Sequence, residues 1–134
     1  MKLNTILRNK GYRITSQRKE ILHSLYTYPS TVEEIFGALK KNKAKIDLAS
    51  IYRTLTLFVK LGLVREIELG DGKKRYELID EKRHHHHLVC NNCGNIEDIY
   101  LEKESTLVKE AKEKSNYQIN YHSLEFFGVC VNCQ

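Results

Sequence analysis

The sequence predicts an α+β protein made of two small domains. Hydrophobic residues recur at helical spacing through the first half of the chain, and an Asp-Gly turn then separates two segments of alternating hydrophobicity. The last third of the chain instead carries a run of four histidines and two C-x-x-C pairs. We therefore expect a helical domain ending in a hairpin over residues 1–80, a hinge at 81–83, and a domain organised by metal ligands over 84–134.

Two helices are predicted near the start of the chain. Residues 3–10 form a short amphipathic segment that stops at Gly11. Thr15 is the expected N-cap of a longer helix over residues 16–28, which Pro29 ends. The apolar face of this second helix supplies candidate core residues, namely Ile21, Leu22 and Leu25.

Two further helices follow with clear start signals. Ser30 and Glu33 form the S-x-x-E pattern of a capping box at the start of the third helix. Asp47 is the expected N-cap of the fourth, which Gly62 ends. Both helices carry an apolar stripe at helical spacing. The candidate core residues are Val32, Ile35, Phe36 and Leu39 on the third helix, and Leu48, Ile51, Leu55, Phe58 and Val59 on the fourth.

The helices are followed by a predicted β-hairpin. Residues 63–69 and 75–79 alternate in hydrophobicity on either side of the segment "GDGKK". Three helices and a two-stranded hairpin are typical of a winged helix-turn-helix domain. In that fold the helix before the hairpin lies in the DNA major groove, and the hairpin is the wing.

Positive charge is concentrated in this first domain. Residues 1–83 hold 18 Lys and Arg against 10 Asp and Glu, a net charge of +8, whereas residues 84–134 hold 4 against 7, a net charge of −3. The asymmetry favours DNA as a partner of the first domain. Two alternatives explain the same positive charge without DNA: a lysine-rich surface that keeps the protein soluble, or a helical unit that binds other proteins. The candidate DNA-binding residues are Ser50, Tyr52, Arg53, Thr54 and Lys60 on the fourth helix, and Arg13, Gln17 and Arg18 near the second.

The last domain is predicted as three strands and one helix. The strands are expected at 84–90, 95–101 and 117–130, and the helix at 103–115. A domain of this size buries little apolar surface, so it needs a metal, a partner subunit or both. The absence of a signal-like segment, and of any apolar run near the roughly 20 residues that span a bilayer, predicts a cytoplasmic protein with reduced thiols.

The four cysteines have the spacing of metal ligands. They form two C-x-x-C pairs with 36 residues between Cys93 and Cys130. Each pair supplies two neighbouring ligands from a tight turn, so four thiolates can close a tetrahedral zinc site. Such a site has no open position for water, and we expect it to be structural. Its ligands are Cys90, Cys93, Cys130 and Cys133.

The four histidines are interpreted by strand alternation. Side chains of a strand point alternately to its two faces, which places His84 and His86 on one side and His85 and His87 on the other. Two metals on opposite sides of the strand therefore fit better than one, although one pair that is merely exposed to solvent remains an alternative. Further ligands are sought among Glu77, Glu97, Asp98, Glu102, Glu104 and His122. Mixed histidine and carboxylate ligation suits iron(II), manganese(II) or zinc.

Together these motifs resemble the ferric uptake regulator family of metal-dependent repressors. The matching stretches are "GYRITSQRKEIL", "ASIYRTLTLFVKLGLV", "RYEL", "HHHHLVCNNCG", "HSLEFFGVC" and the closing C-x-x-C, in the family's order and over nearly the whole chain. The resemblance implies homodimers of an N-terminal winged-helix domain and a small α/β dimerisation domain with a three-stranded sheet. It also implies metal-dependent repression through double-stranded DNA at AT-rich palindromic operators.

The resemblance implies a role for individual residues as well. A structural Zn²⁺ site would comprise Cys90, Cys93, Cys130 and Cys133. A regulatory Fe²⁺, Mn²⁺ or Zn²⁺ site would comprise Glu77, His85, His87 and Asp98. An additional metal site would comprise His84, His86, Glu104 and His122. Tyr52 and Arg53 match the family's base-contacting pair. Regulatory ligands on both sides of the hinge predict that metal binding fixes the arrangement of the two domains.

Three positions bear on which metal is sensed. Many members have a histidine just before the third helix, where this chain has Tyr28. Either Glu77 alone then links the wing to the regulatory metal, or the loop recruits another ligand. Asp98 resembles peroxide sensors, whereas Arg53 resembles iron and zinc regulators. We expect control of iron homeostasis, with zinc uptake or peroxide stress as alternatives within the family.

Two alternatives belong to other functional classes. The hypothesis of a metal buffer protein accounts for the histidines and cysteines, but it does not account for the basic first half of the chain. A zinc metalloenzyme needs an open metal position beside a general base, for which Glu97 and Glu125 are the candidates. Neither glutamate lies in a recognisable catalytic motif, so we expect that the protein is not an enzyme.

Overall fold

The computed structural model describes residues 2–26, 28–79 and 84–134, and for Lys2 and Leu3 the backbone alone. It divides the chain into two compact units, Met1–Ile79 and Asp80–Gln134. The predicted hinge at 81–83 lies outside the described residues. No helix in the described part of the chain has the length and apolar character needed to cross a membrane.

The first unit consists of four helices and a two-stranded antiparallel sheet. Its elements are α1 (Lys2–Asn9), α2 (Ser16–Ser24), α3 (Val32–Lys41), α4 (Leu48–Lys60), β1 (Val64–Glu68) and β2 (Lys74–Leu78). The strands pair from Val64 with Leu78 to Glu68 with Lys74, so the "GDGKK" segment connects them as expected. Thr15 and Asp47 cap α2 and α4 by accepting hydrogen bonds from Arg18 N and Ser50 N.

Two helix ends differ from the prediction. α2 ends at Ser24, four residues before the predicted end at 28. The reason is that Leu25 N donates to Leu22 O at 3.1 Å, a tight turn that closes the helix ahead of Pro29. At α3 the cap is Thr31, whose hydroxyl accepts from Glu34 N at 3.2 Å, rather than Ser30.

Ser30 is unavailable as a cap because its backbone is paired with the hairpin. Ser30 N donates to Tyr76 O at 3.0 Å, and Tyr76 N donates to Ser30 O at 2.8 Å. This bridge adds Ser30, which comes from a third segment of the chain, to the edge of the hairpin beside β2. It ties the start of α3 to β2.

The apolar stripes of the helices form the core of the first unit. Ile51, Leu55 and Phe58 of α4 are fully buried, whereas Leu48 and Val59 are 40% and 39% exposed and lie outside the core. Leu48 is the first residue of the helix, and Val59 lies about 100° around the helix axis from Phe58. The complete buried cluster is Leu7, Ile21, Leu22, Leu25, Val32, Ile35, Leu39, Ile46, Ile51, Leu55, Phe58, Val64 and Tyr76.

The second unit is a three-stranded sheet with one helix. Its elements are β3 (His86–Cys90), β4 (Ile96–Ile99), α5 (Glu104–Ser115), β5 (Glu125–Gly128) and a short 3-10 helix (Val131–Cys133). The strand order is β4-β3-β5, antiparallel between β3 and β4 and parallel between β3 and β5. The strand predicted at 117–130 is limited to four residues, because its neighbour β3 offers pairing only from His87 to Cys90.

Candidate functional site

The four cysteines lie together at one end of the sheet. Parallel pairing sets Cys90, the last residue of β3, opposite Gly128, so Cys130 follows beside it. A turn closed by Gly94 N donating to Cys90 O at 2.9 Å returns Cys93 to the same place. The four donor atoms lie within 4.8 Å of one another, with Cys93 Sγ and Cys130 Sγ 3.7 Å apart. A tetrahedral zinc with Zn–S bonds of about 2.3 Å requires sulfur atoms about 3.8 Å apart, so this cluster fits zinc.

Backbone donors and neighbouring thiols give the four sulfurs different acidities. Cys130 N donates to Cys90 Sγ at 3.3 Å, and this bond together with that from the Cys93 backbone lowers the pKa of Cys90 to about 6. Hydrogen bonds with the Cys130 and Cys93 side chains raise the pKa of Cys133 to about 12. Four thiolates at this spacing repel one another, so a cation is needed to hold them all deprotonated.

A second cluster lies around Glu104 at the start of α5. Its carboxylate contacts His84 Nε2 and His86 Nε2, each at 2.7 Å, and also His122 Nε2. His84 Nε2 lies 3.1 Å from His86 Nε2 and 3.3 Å from His122 Nε2. Ligands at about 2.0–2.1 Å from a tetrahedral ion are about 3.3 Å apart, so these nitrogens are already at coordination spacing.

The electrostatics of this cluster centre on Glu104. Burial raises the pKa of its carboxyl group, but the hydrogen bond from His86 and the charges of the three histidines outweigh burial, so the net pKa is lowered. His86 is buried and His84 is about half exposed. One carboxylate and three imidazoles form a mixed donor set that suits a borderline divalent ion.

A third group of donors lies beside β3 and β4. His85 and His87 have their rings 5.1 Å apart at an angle of 90°, and β4 places Asp98 opposite His87. Asp98 Oδ1 lies 3.8 Å from His85 Nε2 and 3.7 Å from His87 Nε2. These separations exceed the coordination spacing of the Glu104 cluster by about 0.5 Å, so an ion must draw the Asp98 carboxylate inward.

The other predicted carboxylate ligands have different surroundings. Glu77 is on β2 of the first unit, buried, and accepts a hydrogen bond from Arg65 Nε at 2.5 Å. Glu97 accepts from Asn95 Nδ2 at 3.0 Å and is exposed, as is Glu102. Neither Glu97 nor Glu102 joins a cluster of donors among the described residues.

Arg65 is a site neighbour that sequence reasoning missed. The hairpin register places it directly across from Glu77. Counting residues outward from the Asp-Gly turn would have found this cross-strand pair of opposite charges.

The predicted DNA-binding residues of α4 lie on its outer surface. Arg53 is exposed on the opposite side from the buried stripe, and Tyr52, at the flank of the stripe, is 48% exposed. Arg53 Nη2 donates to Ser50 Oγ at 3.1 Å, which orients the guanidinium along the helix. Tyr28, which precedes α3, is also exposed.

The predicted residues near α2 lie at its N-terminal end. The Arg18 guanidinium donates to the Arg13 carbonyl oxygen, and Gln17 Nε2 donates to Lys45 O at 3.1 Å. The Gln17 bond links the start of α2 to the segment before α4. The two groups of predicted DNA-binding residues, one near α2 and one on α4, are therefore connected within the first unit.

Comparison with known proteins identifies relatives over nearly the whole chain. A family model described as "Ferric uptake regulator family" matches residues 9–127. The chain is 35% identical over 133 residues to the "Peroxide-responsive repressor PerR" of Staphylococcus saprophyticus, covering 97% of this chain and 88% of that protein. It is 34% identical over 136 residues to the "Ferric uptake regulation protein" of Synechococcus elongatus, covering 98% and 92%.

Solved structures show the same fold. The ferric uptake regulator of Vibrio cholerae is 32% identical with a TM-score of 0.81, covering 96% of this chain and 99% of that chain. A zinc-bound manganese uptake regulator is 29% identical with a TM-score of 0.76, covering 96% and 98%. These matches confirm the family resemblance and the predicted α+β fold class, with its winged helix and its cysteine cluster. The chain therefore belongs to the ferric uptake regulator family of metal-responsive, DNA-binding transcriptional regulators.

Proposed function

We propose that this chain is a homodimeric repressor that binds an AT-rich palindromic operator when a divalent metal is bound to its second unit. The supporting observation is the division of four consecutive histidines between two donor groups with different carboxylates, beside a separate cluster of four thiolates. A single closed thiolate site can stabilise a unit of this size. A further group of donors is therefore available for regulation.

The three groups of donors have different roles in this proposal. The four cysteines hold a structural Zn²⁺, since they form a closed thiolate set. His85, His87 and Asp98, with Glu77 from the first unit, hold the regulatory ion. The approach of Asp98 Oδ1 to both histidine rings supports its place in this donor group. His84, His86, Glu104 and His122 hold an additional ion.

The DNA contacts follow from the winged-helix unit. α4 enters the major groove with Ser50, Tyr52 and Arg53 toward the bases, and Arg13, Gln17 and Arg18 approach the backbone. A ligand shared by both units allows metal binding to favour the arrangement of the dimer that matches the operator. The protein acts in the cytoplasm, where reducing conditions keep the thiols free for zinc.

The sensed metal is iron(II), manganese(II) or zinc, and the proposed role is the control of iron homeostasis. Two imidazoles and carboxylates suit iron(II), manganese(II) or zinc, and the relatives named above include both an iron regulator and a peroxide-responsive repressor. Zinc uptake and peroxide stress are the alternatives within the family.

Metal titration of DNA binding tests the proposal. The operator is first selected by the wild-type protein from a random pool of duplexes, with all three ions present. Affinity is then measured after the histidine sites have been stripped, and again with iron(II) under anaerobic conditions, manganese(II) or zinc. We expect at least one ion to raise the affinity by about 5- to 150-fold, the usual range of allosteric coupling. Equal affinity in all states would refute the proposal.

The same experiment separates the other functional classes. A metal buffer binds ions but retains no operator duplex. A zinc enzyme needs an open coordination position, whereas the cysteine and Glu104 clusters each offer four donors. Specific retention of an operator supports the regulator over both.

A further inference from the structure

Four lysines surround the turn between α3 and α4. Lys40 and Lys41 are in the last turn of α3, and Lys43 and Lys45 follow it, all exposed to solvent. We name residues 40–45 the lysine loop. None of these lysines is among the DNA-binding residues predicted from the sequence, although they place four positive charges within six residues.

The charges of the lysine loop are uncompensated. Across the described ranges 2–26, 28–79 and 84–134, no acidic side chain forms an ion pair with Lys41, Lys43 or Lys45. Some exposed lysines elsewhere do have such partners, as in the pairs Lys74–Glu66 at 3.2 Å and Lys114–Glu110 at 2.9 Å. Lys40 differs from the others because its ammonium lies 5.3 Å from the centre of the Phe36 ring.

The loop is held in place rather than loosely attached. Lys43 has a φ of 59°, a left-handed conformation that is uncommon for a side-chain-bearing residue. Lys43 N donates to Lys40 O and Ala44 N donates to Leu39 O, each at 3.0 Å. Ile46 is buried in the core directly after the loop. Binding to these lysines therefore costs little backbone ordering.

The position of the loop relates it to the predicted DNA interface. Lys45 O accepts the hydrogen bond from Gln17, at the end of α2 where Arg13 and Arg18 lie. Two residues later Asp47 caps α4, the predicted recognition helix. Residues at the N-terminal end of a recognition helix approach the DNA, so groups just before it approach the phosphates.

Helix stabilisation explains only part of this charge. Lysines in the last turn of a helix interact favourably with its dipole, which applies to Lys40 and Lys41. Lys43 and Lys45 lie beyond the helix, where this effect falls off. Their uncompensated charge at a fixed position is better explained by an anionic partner.

We infer that Lys41, Lys43 and Lys45 bind backbone phosphates of duplex DNA beside the bases that α4 reads. This inference rests on the proposed function and adds a sequence-independent contact surface to it. Each phosphate neutralised by a lysine releases counterions, so these contacts increase the salt dependence of DNA binding.

The test measures that salt dependence. The probes are the duplex selected by the wild-type protein and a random-sequence duplex of equal length, with metal-loaded protein at several salt concentrations. The variant is Lys41→Gln, Lys43→Gln and Lys45→Gln combined. The slope of log affinity against log salt changes by about 0.9 per lost contact, hence by about 5 in a dimer that loses three contacts per protomer. We expect a loss of at least about 2 on both probes, which corresponds to one contact per protomer.

Two matched variants separate phosphate contacts from general charge and from misfolding. Lys109→Gln, Lys112→Gln and Lys114→Gln remove the same charge from α5 and should leave the slope unchanged. The variant Lys41→Arg, Lys43→Arg and Lys45→Arg combined keeps the charge and should keep the slope. A loss below about 2, an equal loss in the α5 variant, or a loss in the arginine variant would overturn the inference. A wild-type protein that binds no duplex in any metal state would instead overturn the proposed function, and the inference with it.

Discussion

Arg75 is a charged residue held almost entirely inside the wing. Its side chain is 10% exposed, and its two terminal nitrogens donate to Asp71 Oδ1 and Oδ2 at 2.9 and 2.7 Å. Arg75 Nε is buried and has no hydrogen-bond partner among the described residues. Asp71 also accepts from Lys73 N at 3.1 Å. This one carboxylate therefore compensates the buried charge and closes the turn of the hairpin.

Replacing Asp71 should make the stability of the first unit less sensitive to acid. The hydrogen bond from Arg75 is the main cause that lowers the pKa of Asp71 from its ordinary value of 3.8 to about 2. Because the folded pKa is the lower one, the stabilisation is present above about pH 4 and is lost as the pH falls toward 2. Asp71→Asn should therefore unfold at lower denaturant than wild type at pH 7, with a difference that shrinks between pH 4 and pH 2.

Glu66→Gln is the matched control for this measurement. Glu66 pairs with Lys74 across the same hairpin at 3.2 Å, but both side chains are exposed. Exposed pairs contribute little, so its denaturant midpoint should remain close to wild type at each pH. A destabilisation by Asp71→Asn that stays constant from pH 7 to pH 2 would contradict the assignment.

At the scale of elements, α4 allows a direct comparison of two leucines from one predicted stripe. Leu55 is fully buried, and Leu48 is 40% exposed. Leu55→Ala should lower the free energy of unfolding by about 2–5 kcal/mol through lost burial and a cavity. Leu48→Ala should change it by less than about 1 kcal/mol. Denaturant titration measures both, and equal losses would show that the core extends to Leu48.

The two histidine pairs at the start of β3, His84 with His86 and His85 with His87, allow a second comparison. His85→Ala with His87→Ala removes donors beside Asp98, whereas His84→Ala with His86→Ala removes donors beside Glu104. We expect the first variant to lose the metal-dependent gain in operator affinity and the second to retain more of it. Metal-titrated anisotropy of the selected duplex measures the difference. Equal behaviour of the two variants would mean that the pairs do not serve separate sites.

Elements were predictable from the sequence where the signal is local. The caps at Thr15 and Asp47, the Asp-Gly turn and the alternation of the histidines are properties of a few consecutive residues. The cap at Thr31 was missed because Ser30 is engaged by Tyr76, 46 positions further along the chain. The parallel pairing of β3 with β5 is likewise a distant contact, and no local pattern indicates it.

At the scale of the whole molecule, the two units bury very different amounts of apolar surface. The hydrophobic cluster lies entirely in the first unit. Within residues 84–134, the buried side chains are those of His86, His87 and Cys90, all members of the donor groups described above. Composition predicted this contrast in outline, because the domain is short and rich in ligands. The residues that fill its interior could be identified only once the sheet order was known.

This contrast predicts that zinc removal unfolds the second unit selectively. Zinc bound to structural sites contributes about 10–16 kcal/mol in zinc-finger peptides, which is comparable to the roughly 5–15 kcal/mol that stabilises an entire domain. A strong chelator with reductant at neutral pH should therefore abolish hydrogen-exchange protection in β3 and β5, while α4 and the hairpin keep theirs. Cys93→Ser should give the same pattern without chelator, since Cys93 Sγ lies 3.7 Å from Cys130 Sγ in the cluster. Loss of protection in both units together would mean that the first unit depends on the second, and unchanged protection in β3 would mean that the thiolate site is not structural.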